Sequence, residues 1–183
     1  MLEKYLIEYC SPTLASLKTA NLFSCYYDSE KELTENILAW NYLLEDKGVE
    51  LIVLRKNSHR ALVYVCRASY LERDLSRPGV VCFLRRYGYE CTDLQYAIQR
   101  LKRRLSQNEE FPHEIGVFLG YPLEDVVGFI KNAGLNSICS GYWKVYCNEY
   151  EAIKTFAKYK KCREIYMRLW NQGRSVRQLT VAA

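Results

Sequence analysis

Several common signatures are missing from the chain. Its 183 residues hold two histidines, four prolines and two methionines, and no uninterrupted apolar run long enough for a bilayer. A helix that crosses a membrane needs about 20 such residues, so none is expected here. The eight cysteines form no C-x-x-C pair and no zinc-ribbon spacing, which leaves a metal or disulfide framework without support. There is no G-x-S-x-G, P-loop or H-E-x-x-H either. The motif-level case for a serine hydrolase, a nucleotide phosphate cradle or a zinc protease is therefore absent. The opening Met1–Tyr9 alternates charged and apolar residues and lacks a secretory core. A cytoplasmic protein with reduced thiols is the expectation.

What is present is ordinary in bulk and odd in detail. The apolar fraction is 49% and the charged fraction 26%, which excludes a disordered tail, a collagen rod and a coiled-coil filament. The length suits one domain over 1–183. Sixteen tyrosines, eight cysteines and a net charge of +5 stand out. Cysteines in apolar runs such as Val63-Tyr-Val-Cys66 read as small hydrophobes in a core. The charge is uneven: residues 1–75 hold nine basic and eleven acidic groups, residues 76–183 seventeen and ten. A basic half suits phosphates or acidic partners, or simply a solvated surface.

The hydrophobic pattern predicts an N-terminal helical segment over 1–19, with Leu2, Tyr5, Leu6 and Tyr9 on one face and Pro12 at its end. Residues 20–27 read as a strand. Ser29 and Glu32 then read as a capping box, and Leu33, Ile37, Trp40 and Leu44 as a helix closed by Gly48. Residues 49–54 and 61–66 read as a hairpin. A second strand–helix–strand–strand unit is expected over 141–181. Its strand is Gly141–Cys147, and a helix after Asn148 carries Ala152, Ile153, Phe156 and Ala157. The apolar face breaks near Lys160, so Arg163–Trp170 is read as a strand with Ile165, Met167 and Leu169 on one side. Arg174–Val181 returns as its partner. Between the units lies a helical insert over 68–140, with helices after Pro78, after a Thr92–Gln95 capping box, and on either side of Gly120. The expectation is an α+β fold: two strand–helix–strand–strand units, 20–67 and 141–181, in a mainly antiparallel six-stranded sheet.

The segment Phe111-Pro-His-Glu-Ile-Gly-Val-Phe-Leu-Gly-Tyr-Pro-Leu-Glu-Asp-Val-Val-Gly-Phe-Ile130 is distinctive. With Gly141-Tyr-Trp-Lys-Val-Tyr146, the Lys-Tyr-Lys-Lys-Cys162 stretch and Leu17-Lys-Thr-Ala-Asn-Leu-Phe23, it resembles the bacterial domain-of-unknown-function family 3793. The likeness covers nearly the whole chain. It implies a soluble bacterial module and carries over no activity, cofactor or site residue. At the level of topology alone, paired strand–helix–strand–strand units are similar to the effector-binding modules of the gyrase-inhibitor-like class, which hold small molecules between their halves.

Each candidate site has a functional and a plainer reading. His113 and Glu114 beside Pro112 suit a general base or, with Cys139 or Cys147, a metal ligand set. The residues favour a helix start that fastens its loop. Gly120–Asp125 joins two helices, and free N–H groups there suit an anion. Glu124 and Asp125 oppose a phosphate, so a rigid corner is favoured. Arg85, Arg86, Arg100, Lys102, Arg103 and Arg104 form a basic cluster fit for a nucleic-acid backbone, and Lys154, Lys158 and Lys161 share one later helix face. In the strand at 141–147, Trp143 and Val145 share one side, and Tyr142, Lys144 and Tyr146 the other. One side is core; the other, with Tyr121, suits an aromatic ligand cleft between the units.

Three functions remain from this reading. The leading one is a non-enzymatic module that binds a small molecule or a protein partner. The alternative is a thiol- or His-dependent enzyme, or a metal or redox protein. The third is nucleic-acid binding through the basic helices. No cofactor is assigned.

Overall fold

The computed structural model describes residues 2–107 and 111–182. Its centre is a three-stranded antiparallel sheet in the order β1 (Ala20–Tyr26), β3 (Arg60–Arg67), β2 (Val49–Lys56). The middle strand is the most continuously apolar of the three, as a strand buried on both faces must be. Ala20 pairs with Cys66 on one side of it and Val49 with Arg67 on the other. Asn57 turns the β2–β3 hairpin by accepting from Arg60 N at 2.9 Å.

Each face of the sheet carries its own core. On one face Phe23, Leu51, Val63 and Val65 meet α1 (Leu2–Leu14), α2 (Glu30–Leu44), α8 (Glu149–Asn171) and the short α9 (Val176–Leu179). On the other, Leu54, Tyr64 and Cys66 meet α3 (Ala68–Leu75), α4 (Pro78–Arg85), α5 (Leu94–Gln107), α6 (Ile115–Phe118) and α7 (Leu123–Lys131). The exposed edge of β2 is closed by a side chain. Asn41 of α2 donates to Leu51 O at 3.0 Å and accepts from Leu51 N at 2.7 Å, as a neighbouring strand would.

The expectations for 20–67 hold almost residue for residue, down to Ser29 capping α2 and Gly48 at φ +66°. Pro12 does not end α1, which runs on to Leu14. Arg67 makes that extension stable. Its guanidinium is fully buried and donates to Thr13 O, Leu14 O, Lys47 O and Val181 O at 2.7–3.1 Å. It thus fills the open carbonyls at the helix end and sits at the negative end of the helix dipole. In the insert, Asp93 rather than Thr92 begins α5, accepting from Tyr96 N at 3.0 Å.

The second unit is different. The sheet has three strands, not six, and a separate two-stranded hairpin, β4 (Cys139–Ser140) with β5 (Lys144–Val145), is all the strand that follows among the described residues. Residues 163–170 belong to α8, one helix of 23 residues, and 176–179 form α9. The reason lies in which residues form the stripe. Ile153 and Ala157 are exposed, whereas Ala152, Phe156, Tyr159, Cys162 and Tyr166 recur at spacings of 4, 3, 3 and 4 and turn inward. The expected face shares Ala152 and Phe156 with this stripe, but Ile153 and Ala157 tilt it away from Tyr159, Cys162 and Tyr166. Without a second unit there are no paired halves, and the topological likeness to gyrase-inhibitor-like modules does not hold. Among the described residues no helix is long and apolar enough to cross a membrane.

Candidate functional site

Two glycines, one within α6 and one in the turn after it, shape the junction of α6 and α7. At Gly116 a Cβ would stand 2.7 Å from Val126 Cγ2, so only glycine lets α6 lie this close to α7. Gly120 adopts φ +74°, and a Cβ there would meet Thr19 Oγ1 at 2.8 Å. The turn therefore places Tyr121, half-buried, between two recesses, and the β4–β5 hairpin packs beside it through Trp143. Asp125 fixes that hairpin. It is 2% exposed; Oδ2 accepts from Trp143 Nε1 at 2.7 Å, and Oδ1 accepts from Tyr146 N, Cys147 N and Cys147 Sγ at 2.7–3.2 Å. The acid that reads as a helix-dipole residue in the sequence is the hairpin's anchor.

Between turn and hairpin lies a cleft of about 330 Å³. Ile115, Leu119, Val126, Phe129, Tyr121 and Trp143 give it apolar walls, and His113 and Lys144 line it as well. Trp143 stacks on Tyr121 with centroids 5.1 Å apart and meets Phe156 edge-on at 4.6 Å. Tyr121 OH donates to Tyr142 O at 3.1 Å, and burial pushes its phenol up to about 12. Lys144 Nζ donates to Gly134 O at 2.6 Å and lies 6.0 Å from the Phe129 ring. One of its three N–H groups is thereby used. The His113 ring packs 4.9 Å from Phe129 and has no hydrogen bond to a described residue.

So the structure brings His113, Tyr121 and Lys144 to one cleft and leaves the other candidates outside it. Tyr142 packs on Phe156 and Tyr159. Tyr146 lies over Gly128 and donates to Leu135 O. The predicted alternation of faces fails because 141–143 form the hairpin's turn, with Gly141 N donating to Trp143 O, and carry no strand. Trp143 and Lys144 accordingly face the same cleft. Glu114 is 1% exposed and pairs with Arg104 through Nε and, at 3.5 Å, Nη2, while Tyr89 OH donates to it at 3.3 Å. This pair locks α5 to the start of α6.

The pairing also divides the basic cluster. Arg104 is taken by Glu114, and Arg100 donates to Tyr87 O at 3.3 Å with its Nε buried and unpartnered. Arg85, Arg86 and Arg103 are exposed and Lys102 half-buried. The thiols are no readier. Desolvation first, then the bond to Asp125, raises the Cys147 thiol; desolvation and the carboxylates of Glu149 and Asp125 raise that of Cys139. Among the described residues no three His, Cys, Asp or Glu side chains are grouped as a metal would need. Cys10, Cys25, Cys66 and Cys162 are buried packing residues, while Cys82, Cys91 and Cys147 are exposed. Sequence reasoning passed over the Asp125 anchor, since its partners lie 18–22 residues away.

No curated protein and no solved structure matches the chain. A family model described as "Protein of unknown function (DUF3793)" matches residues 6–180, and the chain belongs to that family.

Proposed function

We propose that the protein is a small-molecule binding module whose cleft takes a planar aromatic acid. The observation behind this reading is the wall chemistry. Aromatic and aliphatic side chains line a recess in which Asp125, the one carboxylate among its described residues, is already saturated by donors, while Lys144 gives a single hydrogen bond to the described residues and lines the recess with His113. Apolar walls with a few convergent polar groups are what small-ligand sites share. The flat rings of Tyr121 and Trp143 suit stacking, and the ammonium suits a carboxylate.

Calorimetry with 1-naphthoate, against 1-naphthalenemethanol as the uncharged analogue, tests it. The acid binds and the alcohol binds more weakly. Lys144→Gln removes that preference, a loss of about tenfold for one charge-assisted hydrogen bond. Absence of binding by either compound contradicts the reading, and an unchanged preference in Lys144→Gln contradicts the role of the ammonium.

A further inference from the structure

On the far side of Tyr121 a second cavity, of about 520 Å³, opens between the approach to β1, α3, α4 and α7. Lys18 and Asp74 line it and are 4% and 6% exposed. Arg73 and Arg77 line it too, and both side chains are well exposed. Asp74 organises the group. Its Oδ2 accepts from Thr19 Oγ1 at 2.5 Å, and its Oδ1 faces Arg77 Nη2 at 2.8 Å and Arg73 Nε at 3.6 Å. Neither guanidinium gives Oδ1 an aligned hydrogen bond, so an almost buried carboxylate oxygen is left without a directed donor. Such an oxygen is costly unless something fills it. Lys18 Nζ donates to Leu119 O at 2.8 Å and to Ala20 O, and lies 4.9 Å from the centre of the Tyr121 ring.

Two helices begin at this cavity. Gly79 and Val80 open α4, Leu123 and Glu124 open α7, and all four line it. The first N–H to bond back in α4 is that of Val81, to Arg77 O, and in α7 that of Asp125, to Pro122 O. The preceding N–H groups are the ones a helix start leaves without an internal acceptor, at the positive end of its dipole. The sequence objection to an anion here, the pair Glu124 and Asp125, is half removed because Asp125 is committed to the hairpin.

We propose that this cavity binds a hydroxylated phosphate monoester. The phosphate sits between Arg73, Arg77 and the starts of α4 and α7, and Arg77, in turning to it, opens Asp74 Oδ1 to a ligand hydroxyl. A phosphate rather than a carboxylate fits because two guanidinium groups and two helix starts offer more donors than two oxygens can use. Leu17, Val117 and Tyr159 supply apolar wall for the organic part.

The test is a ¹H–¹⁵N NMR titration of the full chain with glycerol 2-phosphate, with inorganic phosphate and glycerol in parallel. Saturable shifts at the amides of Gly79, Val80 and Leu123 are expected with the ester. Arg77→Gln, which removes the charge but keeps a donor within reach of Asp74, weakens binding about tenfold. Glu124→Gln removes the remaining repulsion and tightens it about threefold. Asp74→Asn abolishes the preference for the ester over inorganic phosphate. The proposal is overturned by no saturable shift up to about 20 mM ester, weaker than any affinity worth the name of a site. It is equally overturned by an affinity indifferent to Arg77→Gln, or by shifts confined to Trp143 and its neighbours.

Discussion

On the Trp143 side of Tyr121, Asp125, the one carboxylate among the cleft's described residues, receives four donors from the hairpin. On the Lys18 side, Asp74 keeps an oxygen without a directed donor and holds two arginines beside it. The same turn, Leu119–Pro122, supplies a wall to both recesses. Two acids at comparable burial thus make opposite environments, and the difference is how many of their hydrogen bonds the fold itself fills. A saturated acid becomes a structural fastener, and an unsaturated one shapes a polar pocket.

The largest break in that contrast is Asp125→Ala. It strips the acceptor from three buried or half-buried N–H groups, costing about 4 kcal/mol in urea unfolding, and it removes naphthoate binding. The Lys18 cavity should survive, so amide shifts with glycerol 2-phosphate persist. Equal loss at both sites would show that the two are not built separately. Gly120→Ala acts on both, because it strains the shared turn at φ +74° against Thr19. A cost of about 2 kcal/mol is expected, together with weaker binding at each cavity.

A third experiment sharpens the polar side. Burial draws the Lys18 ammonium down from 10.5 to about 7. The unfolded chain therefore binds more protons between pH 7 and 10.5, and stability rises with pH in that window and is flat below it. Above about pH 9 the buried thiols of Cys10, Cys66 and Cys162, which stay protonated when folded, oppose the trend. Between pH 7 and 8, before the thiols begin to titrate in the unfolded chain, the urea midpoint should climb by the equivalent of about 1 kcal/mol, and Lys18→Met should flatten the climb. A wild-type curve that falls over this range contradicts the assignment. The smallest effect belongs to Tyr121→Phe, which loses one hydrogen bond to Tyr142 O, about 1 kcal/mol, and leaves the ring stack in place.

How much of this was legible depended on how local the signals were. In 20–67 every element carries its own start and stop: Ser29 caps, Gly48 terminates and Asn57 turns, with apolar runs of strand length between them. In 149–171 the buried stripe is written in Phe156, Tyr159, Cys162 and Tyr166, interleaved with five cationic residues from Lys154 to Arg163. The expected face shares Ala152 and Phe156 with this stripe but leans to Ile153 and Ala157, and from there Tyr159, Cys162 and Tyr166 fall off its side of the wheel. At the site, His113, Tyr121 and Lys144 were legible because polar and aromatic residues in a distinctive segment draw notice. Their convergence was not, since it rests on Asp125 reaching across to 143–147. Lys18 and Asp74 lay beyond reach for the same reason: 56 residues separate them, and only the sheet and α3 bring them to one wall.

The central claim is that the Tyr121–Trp143 cleft holds an aromatic acid. The most direct measurement follows the Trp143 Nε1–H resonance, assigned with Trp143→Phe, during titration with 1-naphthoate. The account predicts a saturable shift of this signal with the Gly116 and Ser140 amides, while Gly79 and Val80 stay still. A titration that leaves Trp143 unmoved, or that moves Gly79 and Val80 instead, contradicts it.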